Sequence, residues 1–305
     1  MLFANKKPRL ENRTVQDGII IIDKEPDMTS HDVVARCRRI LGTKKVGHTG
    51  TLDPFATGVM VILVGKATRI AQFLDKDEKE YEAVIRFGHF TDTGDLTGEK
   101  IGDEMNVEFS DDAFDAVLES FIGESLQIPP MYSAKKIDGK KLYELARAGR
   151  EVERDAVSIK ISSISRIESN KEEVTIRVAC SAGTYIRVLA EDIAKKLGSA
   201  AHLTALRRIR AGNFNLKNAL TLEQLKESDI AKATIPISEA LSHLKAIAVP
   251  DIRIKPTLNG MSSYVSVESY EDGQTVKIVT ESGELLAIGN IDFTEKSVRP
   301  KIVLS

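Results

Sequence analysis

V-G-H-T-G-T-L-D-P-F-A-T-G, residues 46–58, gathers one carboxylate, one imidazole, three threonine hydroxyls and three glycines into a single short stretch. No long apolar run interrupts it, so it reads as a loop. Glycines let a backbone take positive φ and let a ligand come close. Asp53 precedes Pro54, and a residue before proline is driven toward the extended region. That fixes the direction in which the carboxylate leaves the chain. The apolar, β-branched run Val59–Val64 follows and reads as a buried strand. A lone carboxylate held against a core strand is a place for chemistry. Taken by itself, the loop favours a simpler reading, an Asx-type turn in which Asp53 bonds its own backbone.

Upstream, Gly18–Asp23 (G-I-I-I-I-D) reads as a short buried strand, and Lys24–Met28 as a turn. Ser30 is placed to cap a helix running to about Leu41, with Val33, Val34, Cys37, Ile40 and Leu41 inward and the arginines outward. Gly42 ends it. Downstream of the strand, Gly65-Lys-Ala-Thr68 lacks the spacing of a phosphate-binding loop, and that reading is rejected. Ala67–Leu74 reads as a short helix. Lys79–Phe87 alternates as a strand. His89–Gly98 reads as a polar turn region, and Ser110 caps a helix over Asp111–Phe121. Pro129-Pro130 forbids helix, and the basic stretch to about Arg154 reads as an insertion with one short helical pattern, Lys140–Ala148. Val157–Ile167 and Val174–Cys180 read as paired strands. The polar Ser181-Ala-Gly-Thr-Tyr-Ile-Arg187 turns into a helix over Val188–Leu197. His202–Arg210 has a helical apolar pattern with a basic face, and Thr221 with Gln224 starts a further helix as a capping box. From about Ile247 short β-type runs separated by Gly and Asp turns suggest a small barrel-like domain.

The chain has 305 residues, 42% hydrophobic and 29% charged, room for one large domain and a small one in a soluble globular protein. No apolar run approaches the roughly 20 residues needed to span a bilayer. Met1–Asn12 is polar and basic, unlike a secretory signal. Cys37 and Cys180 are far apart and in no metal-ligand spacing, which fits a reducing cytoplasm. A net charge of −2 argues against binding nucleic acid by bulk charge. Local clusters argue the other way: Arg36 to Lys45, Lys135 to Arg154, and Arg207, Arg208 and Arg210. Local basic faces, rather than net charge, draw in a phosphate backbone.

Four stretches stand together: Gly47-His-Thr-Gly-Thr-Leu-Asp-Pro54, Lys79-Glu-Tyr-Glu82, Ser181-Ala-Gly-Thr-Tyr-Ile-Arg187 and Ala205-Leu-Arg-Arg208. In that order the chain resembles the bacterial tRNA pseudouridine-55 synthases, the TruB family, from Gly18 onward. Pro129–Lys135 and the basic segment after it are similar to that family's RNA-gripping insertion. One departure stands out. Lys24-Glu-Pro-Asp-Met-Thr-Ser30 carries Glu25 and Asp27 where the family has proline and glycine.

The resemblance implies an α+β pseudouridine-synthase fold. Its central sheet would be mixed, largely antiparallel and flanked by helices, with a small C-terminal β-rich PUA-like domain. It divides the chain into a flexible lead over residues 1–17, a catalytic domain over 18–246 with its insertion at about 127–155, and the PUA-like domain over 247–305. It further implies a stand-alone, cytoplasmic, monomeric enzyme that rearranges the T-loop uridine of tRNA to pseudouridine. The partner is the tRNA T-stem-loop, with no guide RNA, membrane, cofactor or metal. Asp53 would act on the nucleoside, with Arg187 holding it charged. Tyr81 would stack on the flipped uracil and take part in proton transfer. His48 would fill the vacated space in the T-loop, and Tyr185 and Leu206 would line the pocket. Lys24, Lys135, Lys136, Arg147, Arg207 and Arg208 would bind the substrate. Competing readings are a non-catalytic tRNA-folding protein, a guide-RNA-dependent synthase and a retaining glycosidase. The last needs a second carboxylate about 5–5.5 Å from Asp53, and none sits within the dense motifs.

Overall fold

A computed structural model describes residues 16–105, 108–137, 139–170 and 172–304. The expected N-terminal lead falls, as far as residue 15, outside the described residues. The elements that build the site are β1 (Gly18–Lys24), α1 (Ser30–Leu41), β2 (Val46–Thr49), β3 (Thr57–Val64), β4 (Lys79–Phe87), α2 (Asp111–Glu119), β5 (Gly123–Gln127), β6 (Val157–Ser169), β7 (Glu173–Cys180), α3 (Ile186–Lys196) and β8 (Ala201–Ala211).

They form one sheet in the order β1-β3-β8-β4-β7-β6-β5, with β2 also paired to β3. The β8–β3 pairing, Arg207 with Thr57 and Arg208 with Gly58, is parallel. The other pairings among these strands are antiparallel. The expected mixed, largely antiparallel sheet is thus present.

At its β1–β3 end the sheet is buried on both faces. Ile19, Ile21, Val59, Val61 and Leu63 pack on one side. Ile20, Ile22, Met60, Ile62 and Val64 pack against α1 on the other. Period-two alternation sends these side chains to opposite faces, and each large apolar one contributes roughly 1.5–3 kcal/mol by its burial. Farther along, α2 and α3 cover the face carrying Tyr81, Ala83, Ile85 and Leu206. The C-terminal β9 (Ala246–Val249), β10 (Ser263–Tyr264), β11 (Thr275–Thr280), β12 (Leu285–Asp292) and β13 (Ser297–Val303) make a separate five-stranded sheet, ordered β9-β11-β12-β13-β10. Ile288, Ile302 and Leu304 join its core to that of the larger body. Among the described residues no helix is long and apolar enough to cross a membrane.

Three expectations change. His202–Arg210 is strand, not helix. A bulge between Leu203 and Ala205 puts Leu203 and Leu206 on the same buried face, and that three-residue spacing imitates a helical period. The 46–58 stretch is not loop throughout, because Val46–Thr49 pairs with Val61–Val64 as a strand. The cap of α1 is Thr29, whose hydroxyl accepts from Asp32 N while the Asp32 carboxylate accepts from Thr29 N. Ser30 is thereby left for another task.

Candidate active site

Ser30 closes onto the 50–56 loop, its hydroxyl accepting from Leu52 N at 2.9 Å and donating to Leu52 O at 3.1 Å. Lys24, only 1% exposed, donates its ammonium protons to Pro54 O, Ala56 O and Glu25 O at 2.9, 2.6 and 2.9 Å. Burial lowers its pKa to about 8. From the other side Arg208 donates to Val59 O at 2.7 Å and Gly50 O at 2.9 Å. Gly58 is required here, since a Cβ would stand 2.2 Å from Arg208 O and φ is +102°. The segment around Asp53 is therefore held by three buried side chains, and the carboxylate has a set position.

That carboxylate meets Arg187, in the first turn of α3, at 2.9 Å from Nε to Oδ2 and 3.3 Å from Nη2 to Oδ1. Arg187 also donates from Nη1 to Thr93 O at 2.6 Å and from Nη2 to Tyr132 O at 2.7 Å. One guanidinium thus ties together the Asp53 loop, the 89–98 turn region and the stretch around Tyr132. Asp95 stands 3.8 Å from Arg187 Nε. Its own Oδ1 accepts from the Thr93 and Thr97 hydroxyls and from Thr97 N. Two opposed effects act on Asp53: burial lifts its pKa above the ordinary carboxylate range, and Arg187 pulls it back. Asp95, a second negative charge, adds to the lift.

The pair borders a cavity of about 510 Å³ whose wall includes His48, Tyr81, Tyr185, Leu206 and Arg208. Tyr81 and Arg208 are direct cross-strand partners between β4 and β8. Burial raises the Tyr81 pKa, so its phenol stays protonated at neutral pH. Burial lowers that of His48, whose Nδ1 has no hydrogen-bond partner among the described residues. A neutral ring there suits stacking and shape. Gln127 holds Tyr185 by its backbone, accepting from Tyr185 N at 2.7 Å and donating to Tyr185 O at 3.1 Å.

The structure therefore brings together Asp53, Arg187, Tyr81, His48, Tyr185, Leu206 and Arg208. Lys24 lies behind the loop, on its carbonyls. Arg207 pairs with Asp23 at 2.7 Å and lies outside the cavity wall. Lys136 and Arg147 are exposed and Lys135 is half-buried, all away from the cavity wall, with the Arg147 guanidinium 5.6 Å from the Tyr143 ring centre. Sequence reasoning did not single out Asp95, Tyr132 or Gln127. Asp95 does lie in the polar turn region His89–Gly98, whose Thr91-Asp-Thr-Gly-Asp95 string is a signal for a pinned turn. Among the described residues no three His, Cys, Asp or Glu side chains group to hold a metal ion.

The fold and this cleft define the class as the pseudouridine synthases. A crystal structure of a Cbf5-Nop10-Gar1 complex contains a similar chain, with a TM-score of 0.74 and 29% identity over 95% of this chain and 85% of that one. The TruB family pseudouridylate synthase N-terminal domain matches residues 38–186, and the tRNA pseudouridylate synthase B C-terminal domain matches residues 187–247. The tRNA pseudouridine synthase B of Solibacter usitatus (strain Ellin6076) is 41% identical over 280 residues, 90% of this chain and 96% of that protein. The protein of the same name from Staphylococcus aureus (strain Newman) is 42% identical over 303 residues, 95% and 99% of the two chains. This chain belongs to the TruB family of pseudouridylate synthases.

Proposed function

We propose that this chain, acting alone and without a guide RNA, converts the T-loop uridine at position 55 of tRNA to pseudouridine in a cytoplasmic setting. The observation that carries the reading is the Asp53–Arg187 pair on the rim of a cavity whose wall carries Tyr81. The N1–C1′ bond breaks, the uracil turns, C5 bonds to C1′, and the C5 proton leaves as N1 gains one. Nothing is added or lost overall, so no cofactor is called for.

The target base is stacked in the T-loop and must be everted, at a few kcal/mol. Tyr81 offers a face for the uracil, Leu206 and Tyr185 close the sides, and His48 fills the space left in the RNA. Asp53, ionised against Arg187, is the group that acts on the nucleoside. RNA loops are recognised by splayed bases, stacking and backbone contacts. Lys135, Lys136 and Arg147 on the insertion would meet phosphates, so binding should weaken steeply with salt.

The test is release of tritium from tRNA labelled at uridine C5, with purified wild-type chain and with Asp53→Asn. Release by the wild type alone supports the reading. Equal release by both, or release only after guide RNA is added, sinks it.

A further inference from the structure

Arg208 is among the largest fully buried side chains, 1% exposed, and it lies in the cavity wall. Lys79, 5% exposed, lies in the same wall. A Cβ placed on Gly50 would stand 3.9 Å from the Arg208 guanidinium carbon and 3.7 Å from Lys79 Cε, so the two cations are neighbours. Their hydrogen bonds go to neutral groups: Arg208 to Val59 O, Gly50 O and the Tyr81 hydroxyl, Lys79 to Asp75 O. Among the described residues neither forms an ion pair with a carboxylate. The carboxylates of Asp75 and Asp77 favour the charged form of Lys79 without an ion pair to it. Arg187, by contrast, is matched by Asp53.

Buried charges are ordinarily paired, because an unpaired one is expensive to desolvate. Two adjacent unpaired cations in a cavity wall therefore point to an anion that arrives during function. The reaction proposed above, on which this inference rests, makes one. When N1–C1′ breaks, the bonding pair stays on uracil N1 and spreads onto O2 and O4, leaving C1′ electron-poor against the Asp53 carboxylate. The charge disappears when C5 bonds to C1′, the C5 proton departs and N1 is protonated.

We infer that Arg208, with Lys79 beside it, stabilises the negative charge on the departing uracil. Arg208 faces Tyr81 directly across the ladder, at the end of the cavity where the base stacks. Preorganised charge aimed at a developing anion is worth most in a site closed to water.

The experiment follows loss of the target nucleoside in single turnover, on stem-loop RNA carrying uridine or 5-fluorouridine, for wild type, Arg208→Lys and Arg208→Gln. Fluorine makes uracil a more stable anion, which then needs less help. Arg208→Gln should slow the uridine substrate by about 10²-fold at saturating RNA. KM should change little. Arg208→Lys should recover part of the rate, and the loss should shrink to about tenfold on 5-fluorouridine. If the Gln variant does not melt cooperatively, the ratio of the two substrates with Arg208→Lys decides. Parental rate in a folded Gln variant, or an equal loss on both substrates, overturns the inference and leaves Arg208 as a strut for Gly50 and Val59. Failure of the wild type on the uridine RNA would instead remove the proposed function.

Discussion

Arg187 reaches Asp53 across 134 positions of sequence and holds both carboxylate oxygens, at 2.9 and 3.3 Å, while its remaining donors hold Thr93 O and Tyr132 O. The guanidinium is almost fully buried and the carboxylate about one-third exposed. One side chain is thus spread over three segments, and the carboxylate it holds lines the cleft. An ammonium cannot reproduce this, because it lacks the planar fork.

Arg187→Lys should therefore misplace Asp53 more than it discharges it. We expect kcat on tRNA to fall by about 100-fold, the scale of loss expected when a reacting group shifts by roughly 1 Å. Arg187→Met should in addition destabilise the fold by about 3 kcal/mol, because it strands a partly buried carboxylate and two carbonyls. Urea unfolding beside single-turnover kinetics checks both. A Lys variant with parental kcat would show that the pair is not what positions the acid.

Asp95 supports the same cation from behind, with its Oδ1 fixed by Thr93 and Thr97. Asp95→Asn keeps the volume, removes the charge, and turns an N–H donor toward groups that already donate. The Thr93–Thr97 turn should loosen, and Arg187 should lose its second carboxylate. The expected result is a drop in kcat of about tenfold or more, with tRNA affinity nearly unchanged. Separate measurement of Kd by filter binding and of kcat by tritium release makes the distinction.

The pH dependence follows from two buried groups. In the proposed reaction Asp53 acts as its carboxylate, and burial raises its pKa, so activity should be lost as pH falls through a value above the ordinary ~3.9. Lys24 holds Pro54 O and Ala56 O as an ammonium with a pKa of about 8. Activity should therefore decline again as pH rises past about 8, when those carbonyls lose a charged donor. The profile of kcat/KM, which reports the free enzyme, should be bell-shaped. Lys24→Met should lower the plateau and abolish the alkaline limb, and a limb that persists in that variant assigns it elsewhere.

Much of the site was readable because four short stretches, Gly47–Pro54, Lys79–Glu82, Ser181–Arg187 and Ala205–Arg208, resemble the family's, and the residues they carry, Asp53, Tyr81, Arg187, His48, Tyr185 and Leu206, line one cleft. The parts that were not readable share a physical cause. Lys24 and Arg208 look like surface cations in sequence, and only the folded chain surrounds them with carbonyls. Asp95 looks like any turn aspartate until Arg187 arrives from α3. Leu203 and Leu206 imitate a helix because a bulge absorbs one residue. Thr29 and Ser30 are equally able to cap a helix, and the choice turns on Asp32, three residues after Thr29, completing a capping box.

The turn before α1 supplies a prediction about stability. Asp27 takes φ +59°, the left-handed conformation, at the position where the resemblance implies glycine. Aspartate tolerates this region better than most side chains, yet still at a cost that glycine does not have. Glycine gives back part of that advantage through its greater freedom in the unfolded chain. The balance should leave Asp27→Gly more stable by up to about 1 kcal/mol, a rise of roughly 2–4 °C in Tm. The exposed Asp27 charge also raises the pKa of Lys24. Its removal should draw the alkaline limb of the rate profile downward while the rate near pH 7 stays parental. Calorimetry and the pH profile of the same variant test the two halves. A lower Tm would mean that the turn depends on the aspartate side chain itself.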